Sequence, residues 1–314
     1  MQIVLGYLFL ILATLCWSTT GPLGLFALNA GITPVENSFW RAIFAFIIFA
    51  THAALLNKWR LPFRVAGACF LFGCVGMAGI SITNNIALLG AGAAMGSMLQ
   101  NGVAPVFTAF LGVIFFKEYL SQWRIMAVIL TVSGLVLICV SGGGLVQGAA
   151  WWGVAAGIVS GFCYSLQFVF FKNLLNRYAG IALFMYMFLG TALVMFPFVD
   201  FMPDKTPEIW IYLFIPAIVV SWCGTQAYGA GLKRLEISRA GVIITIEPLF
   251  AAFLAWLIWG EMFSLMGWIG TIAIILGIML TTIEKKRRSL KNDKAVECST
   301  MNASDKNTIV ERSA

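Results

Sequence analysis

The chain has 314 residues, of which 61% are hydrophobic and only 11% are charged. Soluble domains carry about 25% charged residues, so this composition excludes an ordinary water-soluble fold. The net charge of +7 does not indicate nucleic-acid binding, because the basic residues lie in short loops and in the C-terminal tail. The seven cysteines form no CxxC pair and His52 is the single histidine, so the sequence predicts no metal site and no cofactor.

The apolar segments predict ten membrane-spanning helices, because a helix that crosses a bilayer needs about 20 apolar residues. The first segment is interpreted as a span and not as a signal peptide, since no basic residue precedes its long apolar run. In chain order the predicted spans are 3–26, 34–56, 65–87, 91–115, 123–141, 150–171, 180–201, 208–231, 237–259 and 265–283. Residues 284–314 are polar and basic and are predicted to form a disordered cytoplasmic tail.

The basic residues are distributed unevenly between the predicted loops. Ten of them fall in the loops on one side of the membrane, whereas Lys205 is the single basic residue in the loops on the other side. Because lysine and arginine accumulate in cytoplasmic loops, this asymmetry predicts that both termini lie in the cytoplasm.

A three-residue pattern occurs twice in the chain. Its residues are separated by 13 and then 16 positions, and the second copy begins 143 residues after the first: Pro105, Glu118, Gly134 and Pro248, Glu261, Gly277. The repetition predicts a duplicated chain, with a first five-helix repeat over 1–141, a short connection over 142–149 and a second repeat over 150–283. Since each repeat has an odd number of spans, the second enters the membrane inverted with respect to the first.

Two ionisable residues stand out because they lie well inside predicted spans, where a charge is costly unless it faces protein or water. Arg41 either meets a substrate carboxylate or a mobile acidic partner, or it is a snorkelling or structural arginine. Glu247 precedes Pro248, whose missing N–H frees a backbone carbonyl. Glu247 either titrates and couples protons, or binds an amine, or is bonded for purely structural reasons.

Other polar and aromatic side chains are candidates to line a substrate site. Amide groups both donate and accept hydrogen bonds, which suits polar or zwitterionic solutes, but amides also bond one helix to another. The candidates are the amides Asn84, Gln100 and Asn101 and the wall residues Trp17, Thr20, Tyr164, Gln167 and Tyr228. The wall residues have the alternative of ordinary packing or lipid contact.

The repeated residues themselves are expected to have structural or gating roles. Glu118 and Glu261 lie at the loop ends of their spans and are predicted to cap the next helix. Bending at Pro105 and Pro248 is predicted to let each half close in turn over a central site.

Together these features resemble those of a known family. The chain has ten predicted spans, a duplication, an aromatic–Ser element in spans 1 and 6 (CWSTT and CYSLQ), and a Pro followed 13 residues later by Glu in spans 4 and 9. In this combination it resembles the drug/metabolite transporter superfamily and, more narrowly, the EamA family of bacterial inner-membrane carriers. The resemblance covers about residues 3–283. It implies an all-α basket of ten helices around a central cavity, and transport, often export, of amino acids or other small metabolites.

The sequence therefore favours a secondary transporter that works by alternating access in the bacterial inner membrane. The alternative is an intramembrane enzyme that acts on a lipid or polyprenyl carrier, which would need a convergent nucleophile, a metal cluster or paired carboxylates. A receptor or scaffold would not explain the duplication. The substrate, the coupling ion, the transport direction and the oligomeric state are left open by the sequence.

Overall fold

The structure is a computed structural model, and it describes residues 2–116, 122–140, 150–171, 174, 177–232, 234, 247–260, 265–277 and 279–280. All regular secondary structure in these residues is helical. A helix satisfies its backbone N–H and C=O groups within its own segment, which is required where no water is available. The prediction of an all-α chain is confirmed.

The first half of the described chain consists of seven α-helical segments. They are α1 (Gln2–Ser18), α2 (Thr20–Asn29), α3 (Pro34–Leu55), α4 (Phe63–Phe72), α5 (Ala78–Ala91), α6 (Ala93–Phe116) and α7 (Gln122–Val140). The second half contains α8 (Trp151–Phe171), α9 (Gly180–Met195), α10 (Pro207–Pro216), α11 (Thr225–Leu232), α12 (Glu247–Trp259) and α13 (Leu265–Gly277).

Each predicted span contains helical residues in the described part of the chain. Five helical stretches there are long and apolar enough to cross a membrane: Val4–Asn29, Pro34–Leu55, Phe63–Ala91, Gly180–Phe198 and Pro207–Gly231. The connection 142–149, the tail from 284 onwards, and Glu118 and Glu261 lie outside the described residues. The side chains of Pro105 and Pro248 are not described either, although helix α6 continues through position 105. The ten-span inverted arrangement and the bending at the prolines stay predictions.

Three of the long stretches contain irregularities that the sequence analysis did not predict. A π-helical segment, Gly73–Met77, joins α4 to α5, and a second, Ala217–Gly224, joins α10 to α11. The second follows Pro216, which has no backbone N–H to donate. The two segments begin 144 residues apart, close to the offset of the sequence repeat. They therefore occupy equivalent positions in the predicted third and eighth spans.

The first long stretch is interrupted at Thr19, between α1 and α2. Three consecutive hydroxyl groups donate to backbone carbonyls three residues earlier, Ser18 to Leu15 at 2.8 Å, Thr19 to Cys16 at 2.7 Å and Thr20 to Trp17 at 2.6 Å. Such bonds compete with the regular helical ladder and bend helices. They explain locally why the helix is interrupted here.

Helices from the two halves of the sequence pack against each other. Helix α8 lies on α5 and α6, α9 lies on α3 and α4, and α1 lies on α11 and on the second π segment. At the last of these contacts, the sulfur atoms of Cys16 and Cys223 are 3.9 Å apart. Helix α12 contacts α1, α2 and α6.

Glycines permit the closest of these approaches. A side chain at Gly73 would overlap the backbone carbonyl of Met187 in α9, and one at Gly190 would overlap that of Phe70 in α4. Gly134 of the repeated pattern lies against α13, where an added Cβ would be 2.5 Å from the carbonyl oxygen of Gly270. Small residues at helix contacts allow this spacing in a membrane, where burial in lipid does not itself drive association.

Replacing Gly73 by Ala is expected to lower the thermal stability of the purified protein, because the new methyl group meets backbone atoms that cannot rotate away. Overpacking of this kind costs about 1–3 kcal/mol. Gly67→Ala, in the adjoining helix α4, is the matched control, since no atom lies within 4 Å of its added Cβ. Equal melting temperatures for the two variants in detergent would contradict the contact between the first π segment and α9.

Candidate functional site

The buried carboxylate of Glu247 is bonded to one of the predicted amide residues. The Nδ2 group of Asn101 in α6 donates to Glu247 Oε1 at 3.0 Å, and Glu247 is only 9% exposed. An amide donor stabilises a buried carboxylate that would otherwise lack a hydrogen-bond partner. Two sequence candidates separated by 146 residues thus meet directly.

Gln100, the neighbour of Asn101, is held by a residue that the sequence analysis missed. The hydroxyl group of Ser160 in α8 is completely buried and donates to Gln100 Oε1 at 2.8 Å. The same hydroxyl lies 3.3 Å from the carbonyl oxygen of Ile80 in α5. Because Oε1 receives the serine proton, the amide of Gln100 is oriented with its N–H donors on the opposite side. Ser160 therefore fixes which way this amide points.

Arg41 is also held by a serine that was not predicted. Its Nη2 atom donates to Ser81 Oγ in α5 at 2.7 Å. Within the described ranges the single ion pair is Glu36–Lys205, so Arg41 has no carboxylate partner in that part of the chain. The side chain is partly exposed although it lies well inside an apolar helix. An intramembrane cation in this position faces the interior or a water-filled space.

These contacts connect into one arrangement, because two pairs of the bonded residues are adjacent in sequence. Ile80 precedes Ser81 in α5, and Gln100 precedes Asn101 in α6. We call the set the polar belt; its side chains belong to Arg41, Ser81, Ser160, Gln100, Asn101 and Glu247. It runs through α3, α5, α8, α6 and α12, with a cation at one end and a carboxylate at the other.

Aromatic residues lie beside the acidic end of the polar belt. The rings of Trp17 in α1 and Tyr228 in α11 are 5.2 Å apart. Tyr164 in α8 interacts electrostatically with both Glu247 and Tyr228. Tyr164 therefore lies near the carboxylate, Tyr228 lies near Tyr164, and Trp17 packs on Tyr228. The sequence predicted all three as wall residues, and all three are partly exposed.

The remaining candidates are less closely associated with the polar belt. The hydroxyl of Thr20 is used locally, in its bond to the Trp17 carbonyl. Asn84 is 4% exposed in α5, and Gln167 is half-buried one turn beyond Tyr164. Asn85, next to Asn84, bonds to α3 through Asn37 and Ser38, which is the interhelical role that the sequence left as an alternative for such amides.

The bond between Asn101 and Glu247 can be tested without a substrate. Asn101→Ala is expected to lower the melting temperature, because it leaves a buried carboxylate oxygen without its donor at a cost of about 1–3 kcal/mol. Adding Glu247→Leu, which removes the carboxylate, should recover most of that loss. Ser165→Ala serves as a control, since Ser165 bonds only to backbone carbonyls of Ala104 and Gly161 among the contacts described. Strictly additive effects of the Asn101 and Glu247 substitutions would contradict the bond.

Comparison with known proteins gives a consistent family. The model of the EamA-like transporter family matches the chain twice, over residues 4–140 and 151–283. An uncharacterized transporter of Bacillus subtilis, YdfC, is 24% identical over 282 residues, which cover 85% of this chain and 88% of the relative. A probable terminal-alkyne amino-acid exporter of Streptantibioticus cattleyicolor is 25% identical over 280 residues, covering 86% of this chain and 91% of the relative.

The fold also resembles a solved structure. A crystal structure that covers 90% of this chain and 98% of its own chain superimposes with a TM-score of 0.64. Its sequence identity is 17%, so the similarity concerns the fold alone.

Proposed function

Because the chain belongs to the EamA-like transporter family, we propose that it is a secondary transporter that exports small zwitterionic metabolites, such as amino acids, by alternating access. The polar belt is the observation that carries the substrate class. At one end of the polar belt is Arg41, which has no carboxylate partner among the described residues. At the other end is the buried acid Glu247.

The two ends of the polar belt suit the two charges of a zwitterion. The guanidinium of Arg41 matches a carboxylate, with which arginine forms paired hydrogen bonds. Glu247, with the aromatic rings near it, matches an ammonium group, which is attracted both to a carboxylate and to ring faces. The amino-acid exporter among the relatives supports this substrate class, although its identity to this chain is low.

Alternating access is supported by the symmetry of the chain. The family model matches each half separately, and the π segments at Gly73–Met77 and Ala217–Gly224 occupy equivalent positions in the two halves. Inverted repeats let one site open to either side when the halves rock. We therefore infer two inverted five-helix repeats around a central cavity, with Trp17, Thr20, Asn84, Gln100, Asn101, Tyr164, Gln167 and Tyr228 lining it together with Arg41 and Glu247.

The proposed location is the bacterial inner membrane with both termini in the cytoplasm, as the distribution of basic residues indicates. We assign no cofactor, and the partners are the bilayer and a small solute. The names of the relatives favour transport over chemistry on a lipid or polyprenyl carrier.

Counterflow in liposomes tests the proposed function directly. Purified protein in liposomes loaded with an unlabelled amino-acid mixture is expected to accumulate external radiolabelled amino acid transiently and with saturation. Liposomes without protein are the control. Absence of counterflow across amino acids, organic acids and nucleosides would contradict a carrier for small metabolites.

Replacing Arg41 by Ala is expected to weaken binding of carboxylate substrates by about 10- to 100-fold, since a hydrogen bond to a charged group is worth about 1.5–3 kcal/mol. The corresponding amino-acid amides should lose little, and Arg41→Lys should retain part of the affinity. Arg177→Ala, in an exposed position before α9, is the control. The measurement is the concentration of each unlabelled acid or amide that halves the counterflow of a radiolabelled amino acid. An equal loss for acids and amides would assign Arg41 a structural role instead.

Glu247→Gln tests proton coupling, because glutamine keeps an oxygen that accepts from Asn101 but cannot release a proton. We expect uptake driven by an imposed pH gradient to be lost, while exchange without a gradient continues at a higher KM, because the substrate ammonium group loses its carboxylate partner. Flux at several external pH values measures this. Persistence of gradient-driven uptake in the variant would remove Glu247 from the coupling role.

A further inference from the structure

A buried ion pair lies at the start of α3, five residues before Arg41 of the polar belt. Lys205 Nζ is 2.7 Å from Glu36 Oε1, and the two side chains are only 6% and 1% exposed. Glu36 is in the first turn of α3, where the Thr33 hydroxyl accepts its backbone N–H. Lys205 is in the connection 199–206 that leads to α10.

The ammonium group of Lys205 is surrounded by acceptors and rings. It donates to the Met202 carbonyl at 2.7 Å. It also lies 5.7 Å from the ring centre of Trp40, 5.8 Å from that of Phe201 and 5.6 Å from that of Trp210. We call these three rings the aromatic box. A carboxylate, a carbonyl and several ring faces together form a receptor for an ammonium ion.

The carboxylate of Glu36 also has hydrogen-bond donors in addition to Lys205. Its Oε1 atom accepts from Trp40 Nε1 at 3.2 Å, and its Oε2 atom accepts the backbone N–H of Met202 at 3.2 Å. Both charges thus have several partners, which a buried ion pair requires if it is to offset the loss of water. Removal of either the lysine or the glutamate would leave the other charge buried and unpaired. The site is therefore specific for a positively charged occupant.

Among the residues that the structure describes, the pair joins the two halves of the chain at one end. Glu36 belongs to the first half, and Lys205 follows α9 in the second half. In the inverted arrangement, the start of α9 is the counterpart of the start of α3, but α9 has no acidic residue in its first turn. Lys58, which lies in the connection after α3, is exposed. An equivalent tie is therefore missing from the corresponding described residues at the opposite end.

We propose that Glu36 and the aromatic box form an ammonium-binding site at the outer end of the transporter, and that Lys205 occupies it to latch this end closed. The latch releases when the carrier opens outward. The inference rests on the proposed function for its role in transport, and on the contacts of Lys205 alone for the ammonium site. The outer assignment follows from the distribution of basic residues.

Chemical rescue tests the ammonium site. Lys205→Ala removes three methylene carbons and the ammonium nitrogen beyond Cβ, and n-propylammonium supplies the same atoms. We expect n-propylammonium chloride to raise the melting temperature of this variant with saturation, whereas equal concentrations of sodium chloride do not. Wild type, whose site is filled, and Glu36→Gln/Lys205→Ala, which lacks the carboxylate, should not respond. An equal response in the three proteins, or no response in Lys205→Ala, would overturn the site.

If Lys205→Ala does not fold, a comparison of stabilities tests the site. The double variant Glu36→Met/Lys205→Met should be more stable than Lys205→Met alone, and the reverse order would overturn the site.

Reversible cross-linking tests whether the latch opens. In Glu36→Cys/Lys205→Cys, a short bis-methanethiosulfonate reagent is expected to bridge the two positions and reduce counterflow to the level of protein-free liposomes. Reduction with dithiothreitol should restore the activity. A monofunctional methanethiosulfonate, which modifies the same and the native cysteines without joining two of them, should leave the counterflow of the double variant as it was before treatment. Full counterflow in the bridged protein would show a static tie and overturn the latch. Failure of the proposed function is distinguishable, because it would abolish counterflow in wild type and leave the rescue by n-propylammonium unchanged.

Discussion

Polar groups within the apolar helices of this protein are constrained by the low polarity of the bilayer, in which an unsatisfied donor, acceptor or charge is costly. The constraint determines how the helices meet. Ser160 bonds to Gln100, Ser81 to Arg41 and Asn101 to Glu247, and each of these bonds joins two different helices. The side chains that we assign to substrate recognition are thus also those that hold the bundle together. Substrate charges, when present, would enter an arrangement in which most hydrogen-bonding positions are already fixed.

The sequence predicted the charged residues of the site better than the hydrogen bonds and ion pairs that join them to other helices. Arg41 and Glu247 are recognisable because a charge inside an apolar run has few structural explanations. Ser81 and Ser160 gave no such signal, since serine is common in membrane helices and its partner depends on how each helix is rotated. The contact between Glu36 and Lys205 spans 169 positions and involves residues at the edges of predicted spans, where charges are ordinary. Such contacts are defined by tertiary packing, which the spacing of residues along one helix does not encode.

The sequence predicted where the chain is helical, but it did not predict the π segments that interrupt two of the helical stretches. Hydropathy identifies a helical stretch, but a π segment adds a residue to one turn only where neighbouring helices accommodate it. Gly73 shows this dependence, because its missing side chain lets the first π segment approach the carbonyl of Met187 in α9. Pro216 is the single local signal for the second segment. The equivalent positions of the two segments indicate that the irregularity belongs to the repeated unit, as the Pro, Glu and Gly pattern does.

The acidic residue in the first turn of α3 has no equivalent in α9. Two halves that are otherwise alike therefore differ in the free energy needed to part their helices at the two membrane surfaces. If the pair lies at the external surface, as we propose, and no equivalent tie exists at the other surface, the empty carrier would favour the state that faces the cytosol. Its empty site would then meet intracellular solutes first, while the direction of net transport is set by the gradients of the solute and of any coupled ion.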